Sequence, residues 1–338
     1  DRRGLLLHEF FISLRQSQQH PGKISIISCS HAFPVHFDED RRKDKGIRSK
    51  MMKEQASMVV IMDDRSALLS SIKACGKTKN LNEGIRIHSE ILQRRLFHKD
   101  IYINNALISM YGKCYNLGGA RLIFDRMLER NVITFVNMLS ACANVGALDE
   151  GKRLHAFIVD SGVELDVVIN TALVNMYGKC GMLAIARNVF QNMPERNVLS
   201  WNAMISAYTQ YGQGNHALEL FDVMRWIGVM PDDATFTSVL SACSHSGLLD
   251  EGCYYFMLMH RLYNIQPQIH HYNCFIDMIG RMGMVDEAEC FMKTMPITPT
   301  PVSWATLMGA WQNQSDVDWA QKRVWGSNHI QVMAQQHG

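Results

Sequence analysis

Along residues 167–194 the apolar positions recur at helical spacing and then stop. Leu173, Val174, Met176 and Tyr177 lie one, three and four positions apart, which puts one buried stripe on a helix. Gly178 and Gly181, on either side of Lys179 and Cys180, are expected to form a turn. A second stripe follows in Leu183, Ala186, Val189 and Phe190. Met193-Pro194 ends it, because proline has no amide proton and disfavours helix at the residue before it. The pattern predicts a hairpin of two helices.

The hairpin is repeated. ALVNMYGKCGMLAIARNVF at 172–190 follows ALISMYGKCYNLGGARLIF at 106–124, and SACSHSGLLDEG at 241–252 follows SACANVGALDEG at 140–151. The two offsets, 66 and 101 residues, differ, so the units are of unequal length. Aligning the phrases gives seven units, at 65–100, 101–131, 132–166, 167–197, 198–232, 233–268 and 269–300, with lengths of 36, 31, 35, 31, 35, 36 and 32 residues. A single hairpin cannot bury both of its stripes, so neighbours must stack into a continuous core. The expected fold class is all-α, an α-solenoid of tandem helix-turn-helix repeats. Ala120, Gly151, Ala186, Ala217, Gly252 and Ala288 hold the same place on the second helix, where small side chains permit close helix contact.

Composition and charge add bounds. A chain of 338 residues that is 47% hydrophobic and 20% charged can bury a sizeable core, which excludes a wholly disordered chain. It has no uninterrupted apolar run long enough for a spanning helix, so membrane insertion is not expected. The net charge of +2 means that any surface for an anionic partner must be local. The nine cysteines include no CxxC pair and recur beside Ala, Gly or Lys. That suits small buried residues in a reducing compartment better than a disulfide framework or a zinc cage.

The alternating lengths, with the phrases NALISMYGKC, TALVNMYGKCG, SWNAMISAYTQYG and TFTSVLSACSHSGLLDEG, resemble the plant pentatricopeptide repeat family, in its subclass of long, short and standard repeats. The constant period of tetratricopeptide solenoids does not fit these lengths. The resemblance covers residues 65–300 and implies a right-handed superhelix that binds single-stranded RNA of mitochondria or chloroplasts, one base per repeat. It also implies that the fifth residue of each first helix and the last residue of each repeat contact the base edge. These pairs are Asn105 with Asn131, Thr171 with Asn197, Asn202 with Asp232, and Asn273 with Thr300. The family's code makes them readers of a pyrimidine, adenine, uracil and a pyrimidine. The long repeats carry Leu69 with Asp100, Val136 with Asp166 and Thr237 with Gln268, which the code does not assign. The expected RNA is pyrimidine, any base, A, U, any base, pyrimidine. Asn131, Asn197 and Asp232 also stand just before a helix, where such residues cap free backbone amides.

The ends and one junction depart from the family pattern. The segment 1–64 lies outside the repeats and contains LLLHEFFISL and the basic run RRKDKGIRSKMMK at 41–53, with acidic Glu9, Asp38, Glu39 and Asp40. It fits either a transit-peptide remnant, mitochondrial before chloroplastic, or a solvated arm. The short unit ending at Asn131 runs directly into a long-type unit, so a standard repeat is expected to be missing there. The chain starts at Asp1, and PVSWATLMGAWQNQSDVDWAQKRV from 301 resembles the start of the extension of editing factors before it degenerates; both suggest a truncated product.

Some relatives end in a cytidine deaminase domain, which needs a zinc-binding HxE and a downstream CxxC. His88-Ser89-Glu90 matches the first half in letters only, no CxxC exists, and His155 holds the same helical place in another unit. No cofactor, metal or catalytic residue is implied. Two functions stay open: an adaptor for organellar RNA modification, C-to-U editing above all, whose deaminase comes from partner proteins of the editing complex; or a protein-interaction solenoid. RNA stability and splicing are neighbouring roles of the first.

Overall fold

The computed structural model describes residues 65–94 and 100–313, and among them every regular element is a helix. The first helices of the hairpins are α1 (65–78), α3 (Ile101–Lys113), α5 (Val132–Val145), α7 (Val167–Lys179), α9 (Val198–Gln210), α11 (Asp233–Ser246) and α13 (Ile269–Arg281). Their partners are α2 (Leu81–Arg94), α4 (Leu117–Arg126), α6 (Leu148–Asp160), α8 (Leu183–Asn192), α10 (Gly214–Trp226), α12 (Leu249–Arg261) and α14 (Val285–Thr294), and α15 (Pro301–Asn313) follows. The protein is an all-α helical-repeat solenoid. None of its described helices is long and apolar enough to cross a membrane. The expected transit-peptide remnant in 1–64, Cys29 and the degenerate tail after residue 313 lie outside the described residues.

The chain divides into two compact units at the Arg130–Asn131 bond. In the unit that ends at Arg130, α3 packs against both α2 and α4. In the unit that begins at Asn131, the first helices form one layer in which α5 packs on α7, α7 on α9, α9 on α11, α11 on α13 and α13 on α15. Each second helix fills the groove between its own first helix and the next one: α8 touches α7 and α9, and α10 touches α9 and α11. A stripe that one hairpin leaves exposed is therefore covered by its neighbour.

Aromatic residues make the seams. Phe221, Phe236, Phe256, Tyr272, Phe275 and Phe291 are all fully buried, and Phe275 meets Phe256 at 5.3 Å and Phe291 at 4.9 Å between ring centroids. Each such ring contributes about 1.5–3 kcal/mol of burial. The small residues of the second helices do what their spacing suggested. Ala120, Ala186, Ala217 and Ala288 have no accessible surface, and a Cβ added to Gly151 or Gly252 would collide with the thioether of Met176 or Met278 on the next first helix.

One sequence expectation needs correction. Gly178 is not part of a turn: it lies in the last turn of α7, where an added Cβ would stand 2.7 Å from that of Ala207 on α9. Close helix approach, rather than chain reversal, requires glycine there. The reversal belongs to Gly181, whose φ of +79° is a left-handed conformation that L side chains rarely adopt. Tyr115, at the matching position of the earlier repeat, adopts φ +58° without that freedom.

Candidate functional site

Five first helices, α3, α5, α7, α9 and α11, open on a polar cap. Asp100, Asn131, Asp166, Asn197 and Asp232 accept hydrogen bonds from backbone amides of the first turn, and so satisfy donors that a helix start leaves unpaired. Two of these helices begin with full capping boxes, Asn131 with Thr134 and Asp232 with Thr235. In these five repeats the last residue thus has a structural task before any other. Its side chain also stands beside the first helix of the preceding repeat wherever the two meet.

Asn202 and Asp232 do meet. Asn202 Nδ2 donates to Asp232 Oδ1 at 2.9 Å, and Thr235 Oγ1 donates to Asn202 Oδ1 at 2.6 Å. Partial burial pushes the Asp232 carboxyl up, but hydrogen bonds from Thr235, Asn202 and Ala234 outweigh it and hold the group below the usual carboxylate value. The carboxylate is therefore an acceptor at neutral pH. Asn273 and Thr300 are joined through a third residue: Ser303 Oγ donates to Asn273 Oδ1 at 2.7 Å and accepts the Thr300 backbone N–H at 3.1 Å.

Thr171 and Asn197 make their bonds elsewhere. Thr171 Oγ1 donates to the Val167 carbonyl at 2.6 Å, and Asn197 Oδ1 accepts the Ser200 N–H at 3.1 Å. The threonine oxygen keeps acceptor capacity and the asparagine keeps its amide donors. Asn105 is buried in α3, and Asn131 caps α5 in the other unit. In the long repeats Leu69 and Val136 are half-buried, Asp100 is paired with Arg65 at 2.6 Å, Asp166 caps α7, Thr237 donates to the Asp233 carbonyl at 2.9 Å, and Gln268 shares a capping box with His271.

Two further sets of residues share the helix face of the readers and were not singled out from sequence. The second residue of the first helix is an exposed apolar side chain in most repeats: Tyr102 at 62%, Ile133 at 55%, Val168 at 48%, Leu199 at 60%, and Val302 at 61% in α15. The thirteenth is Lys113, Lys179 or Arg281 on α3, α7 and α13, all exposed. Positions 2, 5 and 13 fall within one narrow stripe of a helix. On α7 this stripe carries Val168, Thr171 and Lys179, so an apolar plate, a polar reader and a cation lie in line. The signal was available as an apolar residue off the buried face that returns in successive units.

Other candidate chemistry dissolves on inspection of its bonds. His88 Nδ1 is hydrogen-bonded to the Tyr111 hydroxyl at 2.9 Å, and His155 to that of Tyr177 at 2.9 Å, so the His-Ser-Glu letters mark a packing contact between successive repeats. Asp233, His270 and His271 bring three ligand atoms within 4.8 Å of one another. His271 Nδ1 accepts the Gln268 N–H at 3.1 Å, however, so its proton is on Nε2, which donates to the Asp233 carbonyl at 3.1 Å. Two donors remain for a cation, fewer than a zinc site uses. The eight described cysteines are free, and burial pushes the thiols of Cys243 and Cys253 up to about 12, which keeps them protonated and unreactive.

Comparison with known proteins agrees with this architecture. A family model described as the PPR repeat matches residues 105–132, 171–198, 234–263 and 270–296, and a model of the PPR repeat family matches 196–245. A putative pentatricopeptide repeat-containing protein of Arabidopsis thaliana is 37% identical over 284 residues, 74% of this chain and 38% of that protein. A second from the same plant, named as mitochondrial, is 33% identical and shares 76% of this chain and 52% of its own length. The chloroplastic protein CRR2 is also 33% identical, covering 78% and 46%. The chain thus spans about half or less of each of these relatives. Among solved structures, maize pentatricopeptide repeat protein PPR10 superposes with a TM-score of 0.52 at 19% identity over 77% of this chain and 38% of that one, a likeness of fold.

Proposed function

This chain belongs to the pentatricopeptide repeat family, and from that premise we propose that it reads single-stranded RNA, one base per repeat, as an adaptor in organellar RNA processing. The observation that carries the reading is the Asn202–Asp232 pair, a free amide N–H beside an ionised acceptor. Uracil offers the complement, a keto oxygen next to an imino N–H. Cytosine offers an amino group and an unprotonated ring nitrogen, which would face the carboxylate without a proton between them. Guanine has the polarity of uracil and is excluded only by size.

The Thr171–Asn197 repeat has the opposite polarity. Thr171 spends its proton on Val167 and keeps an acceptor, and Asn197 keeps a donor. Adenine presents an amino donor beside a ring acceptor and fits; guanine reverses both. Asn273 with Thr300 is assigned to a pyrimidine by the family's code. The exposed apolar residues Val168, Leu199 and Val302 supply surfaces on which bases stack, each worth about 1–3 kcal/mol in aromatic cases, and Lys179 and Arg281 supply cations for phosphates.

C-to-U editing is the processing step we favour, supported by the repeat subclass and by the editing-factor-like phrase that begins α15; the deaminase is then a partner protein. Relatives named as mitochondrial and chloroplastic support an organelle as the site of action. The test is binding of the purified chain to short single-stranded RNAs at fixed salt, one set with the A–U step and one with the two bases exchanged. Preference for the first set, reduced by Thr171→Ala and Asn202→Ala, is the expected result. Equal binding to both sets by a folded sample refutes base reading and favours a protein-binding groove.

A further inference from the structure

The third residue of a first helix belongs to one repeat but reaches the reader of the repeat before it. Thr235, at the third position of α11, accepts the Asp232 backbone N–H at 3.0 Å, so its own proton is free for donation. Two acceptors lie within reach, Asn202 Oδ1 at 2.6 Å and Asp232 Oδ1 at 2.8 Å. Asp232 Oδ1 already accepts the Thr235 N–H at 2.9 Å and Asn202 Nδ2 at 2.9 Å, whereas the threonine hydroxyl is the one donor to Asn202 Oδ1 among the described residues. The proton belongs on the asparagine bond.

Ser303 repeats the arrangement, with its oxygen accepting the Thr300 N–H and its proton on Asn273 Oδ1 at 2.7 Å. The short repeat is the contrast. Ser200 Oγ donates to the Asn197 carbonyl at 2.8 Å, and the preceding reader, Thr171, is bonded to its own helix.

We propose that Thr235 and Ser303 are specificity-positioning residues, which occupy the amide oxygen of Asn202 and Asn273 so that each asparagine offers the RNA hydrogen-bond donors only. The inference rests on the RNA-reading function proposed above. An asparagine amide is otherwise ambivalent, because either end can turn toward a base. With its oxygen held, a base that presents an amino group there meets N–H against N–H and leaves both donors unpaired, whereas a keto oxygen is matched. Asn202 then rejects cytosine and adenine through a hydroxyl that does not itself touch the base. Asn273 has no carboxylate beside it, so Ser303 alone orients its amide.

The experiment measures equilibrium binding of short RNAs carrying the pyrimidine–N–A–U–N–pyrimidine core, with U replaced in turn by C, A and G, to the whole chain and to Thr235→Val, Thr235→Ser and Asn202→Ala. Thr235→Val keeps the shape and removes the hydroxyl; its fold is checked by circular dichroism. The expected result is a U-over-C ratio at least about fivefold smaller in Thr235→Val, restored in Thr235→Ser, with discrimination at the preceding A unchanged. With U and C exchanged at the final position, Ser303→Ala should lower the U-over-C ratio there in the same way, which keeps a second site available if Thr235→Val does not fold. Uniform weakening for all RNAs with an unchanged U-over-C ratio would mean that the hydroxyl is only a helix cap and would overturn the proposal. If Asn202→Ala alters the ratio and Thr235→Val does not, the positioning role alone fails. If the wild-type chain has no preference for Asn202→Ala to remove, base reading itself fails.

Discussion

Asn202 on α9 and Asp232 at the start of α11, 30 residues apart in sequence, are joined by a 2.9 Å hydrogen bond between amide and carboxylate. The same carboxylate caps α11 through the Thr235 amide at 2.9 Å. One side chain therefore serves the fold and the proposed base contact together.

Asp232→Ala should destabilise the chain by about 0.5–2 kcal/mol at neutral pH, the usual cost of a lost cap. The carboxyl of the folded chain lies below its ordinary value of 3.8, so its contribution is complete above that pH and is lost as pH falls through the lower, folded value. Thermal unfolding of wild type and Asp232→Ala should differ by a constant amount near neutrality and converge in acid. A difference that grows on acidification would contradict the assignment.

His88 and His155 give a second pH dependence at milder acidity. Burial holds both imidazoles below their ordinary value of 6.5, each against a tyrosine of the following repeat. The unfolded chain binds the proton more readily than the folded one, so stability is full above 6.5 and falls as the pH is lowered through that value toward the folded pKa. The paired substitution His88→Leu with His155→Leu should flatten this part of the stability profile, measured by denaturant unfolding at a series of pH values.

Two glycine contacts of similar closeness should differ in cost. Gly178→Ala drives its Cβ toward the Cβ of Ala207, which cannot move without α9, and should cost about 1–3 kcal/mol. Gly151→Ala meets the thioether end of Met176, which can change rotamer, and should cost less. Met176→Leu is expected to leave Gly178→Ala unrelieved. Equal costs in chemical denaturation would show that the helices, rather than the side chains, adjust.

Tyr115→Gly should stabilise the protein by about 1 kcal/mol. The substitution removes left-handed strain at φ +58° and gives up an exposed hydrogen bond from Lys79 Nζ at 2.9 Å. A rise in melting temperature is the expected readout. A fall would mean that the Lys79–Tyr115 contact outweighs the backbone.

The helices were legible because their determinants are local. The apolar spacing of Leu173, Met176 and Tyr177 and the proline after Met193 specify a hairpin wherever the segment sits, and a cap such as Asp166 bonds amides two and three residues away. The repetition of these units was equally plain, since a stripe that needs a neighbour predicts a neighbour. The sequence by itself therefore determined the element order, the stacked all-α class and the set of polar residues to be suspected. It could not say which polar residues touch. Asn202 with Asp232 and Thr171 with Asn197 look equivalent as letters, yet the first pair is bonded and the second is not. The separation of Thr235 from Asn202 by 33 residues, and of Gly178 from Ala207 by the whole of α8 and most of α9, is bridged only when adjacent repeats pack. Only the tertiary structure decided that Gly178 is a contact and not a turn, that His88 holds a tyrosine, and that a hydroxyl of one repeat orients the amide of another, because these relations depend on distances between helices that no local pattern encodes.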